Sequence, residues 1–452
     1  MSCTIRLTIN KLSGTLQWED MHQRLKITGG KPLHGEISVS GAKNAVTKMM
    51  VAALLTDEPV TIYNVPEIGD VDVTQEILEA VGATVDRPGN TLGIHTPQIT
   101  NTSVKQLSRK NRISVLALSP LLHRTGKAEV PILEGDKIGP RPVNYHMQSL
   151  EQMGATITND DTRYYAETGQ LHGTSIRLPY PSVGATENIL LAATLAQGRT
   201  RIENAATEPE ILDLIKLLQQ MGAIIEFRAN RVIIIDGVEK LHGASYTVMP
   251  DRLEAASYAA AAIATNGEII VKNARQDDLS TFLNTIRRIG GDYEVRNGSI
   301  VFRRGGDGLS SIELETETWP GFSTDWQQPL VVILTQSSGL SVIHETVYED
   351  RFGYTDSLNY MGANIALFTK CLGELECRFK GLAHKHSAII QGPTQLAATE
   401  IDIPDIRAGM AHVIAALVAD GTSTLNGVDH LLRGYDALPD KLNAVGADFA
   451  YE

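Results

Sequence analysis

Ile211-Leu-Asp-Leu-Ile-Lys-Leu-Leu-Gln-Gln-Met-Gly-Ala-Ile-Ile-Glu-Phe227 sets apolar residues at helical spacing, then a glycine, then a strand-like run. A helix that ends on a left-handed glycine and turns into a strand explains that order. The same junction recurs at Ala80-Val-Gly-Ala83, Gln152-Met-Gly-Ala155, Arg288-Ile-Gly-Gly291, Tyr360-Met-Gly-Ala363 and Ala444-Val-Gly-Ala447. The six glycines, Gly82, Gly154, Gly222, Gly290, Gly362 and Gly446, are spaced by 72, 68, 68, 72 and 84 residues. Near-constant spacing signals one supersecondary unit used six times. Between the junctions lie small, apolar helical stretches that run into strands, such as Ala192-Ala-Thr-Leu to Thr200-Arg-Ile202. Each unit of about 70 residues therefore holds two helices and about four strands.

Helices such as Ala255 to Ala264, small and apolar nearly all round, belong in an interior. The expected fold class is α/β (α+β), with two inside-out globules of three repeats each, helices buried and sheets outside. The expected divisions are residues 1–42, an extension plus a strand belonging to the second globule; 43–249, the first globule; and 250–452, the second. A cleft between the globules is the natural ligand site.

Composition excludes several functions. Aromatics at 5% are too sparse for a base-stacking surface, and a net charge of −13 opposes duplex binding. No apolar run approaches the roughly 20 residues of a membrane span, and the first 23 residues lack the apolar core of a signal peptide. Cys3, Cys371 and Cys377 form no C-x-x-C pair, which fits a reducing cytoplasm without structural zinc. No metal and no cofactor is expected.

Several segments carry chemistry. Glu134-Gly-Asp-Lys-Ile-Gly-Pro-Arg-Pro-Val-Asn-Tyr-His146 is a Gly/Pro-punctuated loop holding Asp136, Lys137 and Arg141. Ser40-Gly-Ala-Lys-Asn-Ala45 joins a strand to a helix start, an anion cradle with Lys43 as point charge. Arg112, Arg141, Arg351, Arg407 and Arg433 each sit at a loop-to-helix entry of their own repeat. Together they suggest a cationic site inside an acidic chain, suited to a ligand carrying several phosphates or carboxylates. Asp325 and Asp405 add carboxylates; Asp325 is equally readable as an N-cap and Asp405 as half of a local ion pair.

These motifs, with Ser182-Val-Gly-Ala-Thr186, Pro250-Asp-Arg-Leu-Glu254, Ser323-Thr-Asp-Trp-Gln327, Glu349-Asp-Arg-Phe352 and Arg433-Gly-Tyr435, occur in the order found in a known family. From about Leu25 to the C-terminus the chain resembles the UDP-N-acetylglucosamine 1-carboxyvinyltransferases, enolpyruvyl transferases that commit sugar to peptidoglycan. The resemblance implies the inside-out two-globule fold, a cytoplasmic location and two small-molecule partners, phosphoenolpyruvate and UDP-N-acetylglucosamine. It implies a catalytic set of Asp136, Asp325, Lys43, Arg433 and Asp405. Phosphoenolpyruvate would be held by Lys43 and Asn44, with Arg141, Arg407 and Arg433 near its charged groups. The nucleotide sugar would lie along Arg112, the segment Arg141, Pro142, Val143, Asn144 and Tyr145, the turn Tyr180, Pro181, Ser182 and Val183, then Asp325 and Val347, with Arg351 beside it. Asp325 would take the sugar hydroxyl proton, and Asp136 would protonate the methylene carbon.

The chain departs from that family in three places. The loop proton donor is usually cysteine, here Asp136. Thiol-directed epoxides such as fosfomycin should therefore fail to inactivate it. Tyr180 stands where lysine is common, which removes a cation near the nucleotide. An extension precedes Leu25. Two rivals stay open: a sister enolpyruvyl transferase with another acceptor, and a non-catalytic paralogue that binds nucleotide sugar.

Overall fold

The computed structural model describes residues 24–104, 107–109, 111–132, 143–374 and 377–452. Asp136, Arg141 and Pro142 lie outside the described residues.

In chain order the helices of the first half are α1 (Lys43–Ala52), α2 (Gly69–Ala80), α3 (Leu118–Thr125), α4 (Asn144–Gln152), α5 (Val183–Ala193) and α6 (Pro209–Gln220). Those of the second are α7 (Arg252–Ala264), α8 (Ser280–Arg288), α9 (Gln327–Thr335), α10 (Thr355–Tyr360), α11 (Ile406–Val418), α12 (Asp429–Leu432) and α13 (Leu438–Ala444). Two hydrophobic cores form. One runs from Ala42 to Met249. The other combines Leu25 to Val39 with Leu253 to Val445. Every residue of α7 is buried, and α9 is buried throughout. In the second core α7, α9 and α11 pack pairwise. Alanine suits α7 because it favours helix and lets neighbouring axes approach closely. The interior helices and outer sheets inferred from composition are what the fold contains.

All six repeat glycines have positive φ, from 76° at Gly446 to 105° at Gly82 and Gly362. At Gly222 the turn closes with Ala223 N donating to Leu218 O at 2.9 Å, which satisfies a terminal carbonyl of α6. A side chain at these positions would be strained whatever space surrounded it.

The four-stranded sheets repeat one plan. In the third unit Ser175–Arg177 runs parallel to Arg199–Glu203, which pairs antiparallel with Val232–Asp236, and that with Ile224–Arg228. Among the described residues, five sheets have four strands. The second unit departs from that plan with three, and an isolated Ser103–Glu129 bridge stands in the fourth place. The N-terminal strands serve the second half. Leu25–Thr28 pairs with Thr422–Asn426 and Asp448–Tyr451, and His34–Ser38 with Glu268–Lys272.

The chain crosses between the two cores twice, and the crossings pair with each other. Gly41 bridges Pro250, Ala42 N donates to Met249 O at 2.8 Å, and Asp251 N donates to Ser40 O at 2.9 Å. Asp251 also ties two helices. One carboxylate oxygen caps α7 through Leu253 N and Glu254 N, and the other accepts Lys43 N at the start of α1. At Gly41 a Cβ would fall 1.8 Å from Asn64 O, so glycine is what allows the crossing to pass there.

Candidate active site

A cavity of about 330 Å³ opens between the two halves. Its walls are the first turns of helices from both. Asn44 comes from α1, Arg112 from a 3-10 turn, Tyr145 and His146 from α4, and Val183 from α5. Facing them are Arg252 of α7, Asp325 of the turn before α9, and the Val347–Glu349 loop. Backbone N–H groups at such ends are oriented to receive anions.

Asp325 is the carboxylate at the centre of the cationic set. Arg351 donates to its Oδ1, and Arg407 Nε lies 3.7 Å from Oδ2. Burial alone would raise this carboxyl. Arg351, Arg407, Arg252 and Lys43 outweigh it and hold it below its ordinary value. Asp325 is not the cap of its own turn, because Ser323 Oγ takes that place. Glu345, buried, accepts Val347 N, Tyr348 N, Thr324 Oγ1 and Gln327 Nε2, which fixes the Val347 loop against the Asp325 turn.

Lys43 and Arg433 meet on a carboxylate that sequence reasoning missed. Lys43 Nζ lies 2.9 Å from Asp70 Oδ2, and Arg433 Nε lies 3.1 Å from Oδ1. Burial pushes the Asp70 carboxyl up, and the two cations more than reverse it. The Arg433–Asp70 pair crosses from the second half to α2 of the first. Arg433 follows the end of α12 rather than entering a helix, which corrects its expected place.

Asp405 caps α11 by accepting Arg407 N and Ala408 N at 2.9 and 3.0 Å. It orients Arg407 rather than lining the cavity. Asn144 is exposed at the start of α4 and does not line it either. Asn44, Arg112, Val143, Tyr145, the Tyr180–Val183 turn, Asp325 and Val347 all do. Arg351 and Arg407 join through Asp325.

Two further groups were missed. Arg252 crosses the cleft to Glu210 at 3.0 Å while stacked near Trp319 and Trp326 at 5.2 and 5.1 Å. Arg378 lies over the Tyr180 ring at 4.5 Å and donates to Val347 O. A cation therefore stands beside Tyr180 after all, supplied by the opposite wall. The Tyr180 hydroxyl is buried with no hydrogen-bond partner among the described residues.

His146, buried beside Arg112, has its pKa lowered to about 3, first by burial and then by that guanidinium. Its ordinary value is about 6.5, so below that pH the unfolded chain binds a proton that the folded one refuses. Stability should fall with acidification from about pH 6.5 towards 3, by up to about 1.4 kcal/mol per pH unit. His146→Gln should show a shallower fall in urea midpoint between pH 7 and 5 than the parent. Equal slopes would refute the assignment.

The architecture matches solved enolpyruvyl transferases. The enolpyruvyl transferase NikO from Streptomyces tendae superposes with a TM-score of 0.82 at 23% identity, over 95% of this chain and 98% of that one. EPSP synthase from Acinetobacter baumannii gives 0.70 at 19% identity, over 95% and 100%. These likenesses define the class by fold. In sequence, residues 27–442 match the family described as EPSP synthase (3-phosphoshikimate 1-carboxyvinyltransferase). Among curated relatives, the UDP-N-acetylglucosamine 1-carboxyvinyltransferase of Protochlamydia amoebophila (strain UWE25) is 48% identical over 433 residues, 94% of this chain and 93% of the relative. Its counterpart from Chlamydia trachomatis serovar D is 45% identical over 94% of this chain and 97% of that protein. The chain thus belongs to the EPSP synthase family of enolpyruvyl transferases, in the branch of the UDP-N-acetylglucosamine 1-carboxyvinyltransferases.

Proposed function

We propose that this transferase moves the enolpyruvyl group of phosphoenolpyruvate to the 3-hydroxyl of UDP-N-acetylglucosamine, releasing phosphate and opening peptidoglycan synthesis. The observation that carries the reading is Asp325, held ionised in the interlobe cavity by Arg351 and Arg407. Asp325 accepts the hydroxyl proton as the sugar oxygen bonds to C2 of phosphoenolpyruvate. Asp136 delivers a proton to C3, which becomes a methyl group. The tetrahedral ketal then loses a methyl proton, its C2–O bond to phosphate breaks, and the enol ether remains. Protonation at C3 builds positive charge at C2, so the acid and the base must act together on opposite reactants.

Lys43 and Arg433 receive the anionic substrate, with Asp70 holding both side chains in place until it binds. Arg407 and Arg351 neutralise charge on the same ligand. Arg378, stacked on Tyr180, takes the place of the lysine common in relatives and faces the diphosphate. The two lobes, 43–249 and 250–452 with the strands before residue 43, close on the paired crossings at Gly41 and Pro250, which excludes water as a competing nucleophile. Among the described residues no helix is long and apolar enough to cross a membrane. The substrates of this reaction place it in the cytoplasm.

Phosphate release from phosphoenolpyruvate, measured with each candidate acceptor, tests the assignment. Release should require UDP-N-acetylglucosamine. Release with shikimate 3-phosphate instead would reassign the acceptor, and none with any acceptor would favour a binding paralogue.

A further inference from the structure

Outside the cleft, four side chains converge that the reaction does not use. His344, Cys371, Cys377 and His386 place one nitrogen or sulfur each within 4.8 Å of one another. The sequence hid this group, because Cys371 and Cys377 form no short motif and His344 lies far upstream. The sheet assembles it. His344 ends the strand Gly339–His344 and pairs with Ser387, so His386 arrives beside it. The two rings sit 5.4 Å apart.

The orientation of each ligand is set by a neighbour. His344 Nδ1 meets Glu315 Oε2 at 3.1 Å, leaving Nε2 to face the cluster. That Nε2 is buried and has no hydrogen-bond partner among the described residues. A buried imidazole nitrogen left without a partner calls for an explanation. His386 Nδ1 lies 2.8 Å from His384 O, which turns its Nε2 towards Cys371 Sγ at 3.4 Å. Phe379 N donates to Cys377 Sγ at 3.3 Å. Glu315 accepts a second bond, from Glu374 N at 2.6 Å, and a Cβ on Gly373 would fall 2.2 Å from His344 Nδ1. The close approach of that loop to the His344–Glu315 pair therefore depends on glycine.

Carboxylate or carbonyl on one imidazole nitrogen, with the other nitrogen turned inward, is how metal-bound histidines are held. Two thiolates and two imidazoles suit zinc in a closed tetrahedron. With Zn–S about 2.3 Å and Zn–N about 2.0–2.1 Å, tetrahedral edges run roughly 3.4–3.8 Å. The Cys371–His386 separation of 3.4 Å already meets that edge.

We propose that His344, Cys371, Cys377 and His386 form a structural zinc site, which fastens the loop beside the cleft to the sheet of the fifth unit. All four positions are protein ligands, so none is open for substrate. The consequence for the cleft is positional. Arg378 follows Cys377 directly and carries the cation over Tyr180. A metal clamp at Cys377 would set where that guanidinium stands. Metal binding at this site depends neither on the acceptor nor on turnover.

Tag-free, reduced, full-length protein should retain about one zinc per chain after gel filtration in metal-free buffer, read by elemental mass spectrometry. Cobalt(II) in place of zinc should give the thiolate charge-transfer and intense ligand-field bands of a tetrahedral sulfur-nitrogen site. Cys371→Ser and Cys377→Ser should each reduce retained zinc at least about tenfold, while Cys3→Ser should leave it unchanged. Because those serine variants could misfold, cobalt titration of the unaltered protein is the deciding measurement. No tetrahedral cobalt spectrum there, or a Cys371–Cys377 disulfide in protein kept under reductant, would overturn the site. Equal loss of metal in Cys3→Ser would do the same.

Discussion

Asp325→Asn should lower kcat by about 10²–10⁴-fold, the range for removing a positioned general base. The amide keeps the shape and one oxygen towards Arg351 but cannot take a proton. Binding of UDP-N-acetylglucosamine should change far less, because a sugar hydroxyl can still donate to the amide oxygen. The difficulty is the base strength of Asp325. Its arginines depress its proton affinity in the free protein, and a weak base is poorly matched to a sugar hydroxyl. Anionic phosphoenolpyruvate resolves this. Once its charges occupy Arg407 and Arg351, their pull on Asp325 is offset and its proton affinity rises. Catalytic competence would then arrive with phosphoenolpyruvate. The variant also removes the negative charge that balances two buried guanidiniums, and breaking a buried pair can cost about 3–5 kcal/mol. Thermal unfolding should therefore accompany the kinetics. A folded Asp325→Asn protein turning over within tenfold of the parent would end the role assigned to this carboxylate.

What the sequence could and could not announce follows from where each constraint is stored. A helix that must turn left-handed into a strand writes a glycine at a fixed place, so Gly82 through Gly446 could be read directly. Interior helices write runs of alanine. The arginines were visible as types at recurring places, and the cavity gathers Arg112 and, through Asp325, Arg351 and Arg407. Their partners were not visible, because a partner is chosen by tertiary closure. Asp70 and Arg433 are 363 residues apart, and Asp70 reads as an ordinary acidic residue in a first helical turn. Arg252 stands within the family motif Pro250-Asp-Arg-Leu-Glu254 with no role of its own, yet its charge spans the cleft to Glu210. Arg378 lay in a stretch with no periodic signal. Cysteine arithmetic did not point to the His344, Cys371, Cys377 and His386 cluster for a related reason. It looks for residues close in sequence, whereas strand pairing at His344–Ser387 brings two of these four side chains together. Asp405 shows the converse. A carboxylate beside an arginine reads as chemistry, and the fold uses it as a helix cap.

The acid position carries the other large expected effect. Asp136→Asn should abolish turnover, because the amide has no proton to give to the methylene carbon. Asp136→Cys should retain turnover and become inactivated by fosfomycin in a time-dependent way, with the adduct on the new thiol. The parent protein should resist the epoxide, having no sulfur in the loop Glu134–His146. The physical problem is that an unperturbed aspartic acid is about 99.9% ionised at pH 7. It can serve as an acid only if its surroundings disfavour the charged form. Negative charge on bound phosphoenolpyruvate would disfavour the charged form, and the cation of Lys137 would oppose that. Cysteine has an ordinary pKa near 8.5 and is mostly protonated at pH 7 without help. The two acids should therefore give different basic limbs in kcat against pH. For the aspartic acid the limb should lie lower than for the thiol, since a carboxyl raised by substrate starts about four to five units below a thiol. If Asp136→Cys and the parent share one basic limb, the residue at 136 is not the group that loses the proton. An epoxide adduct on Cys371 or Cys377 in the parent would sink the resistance argument instead.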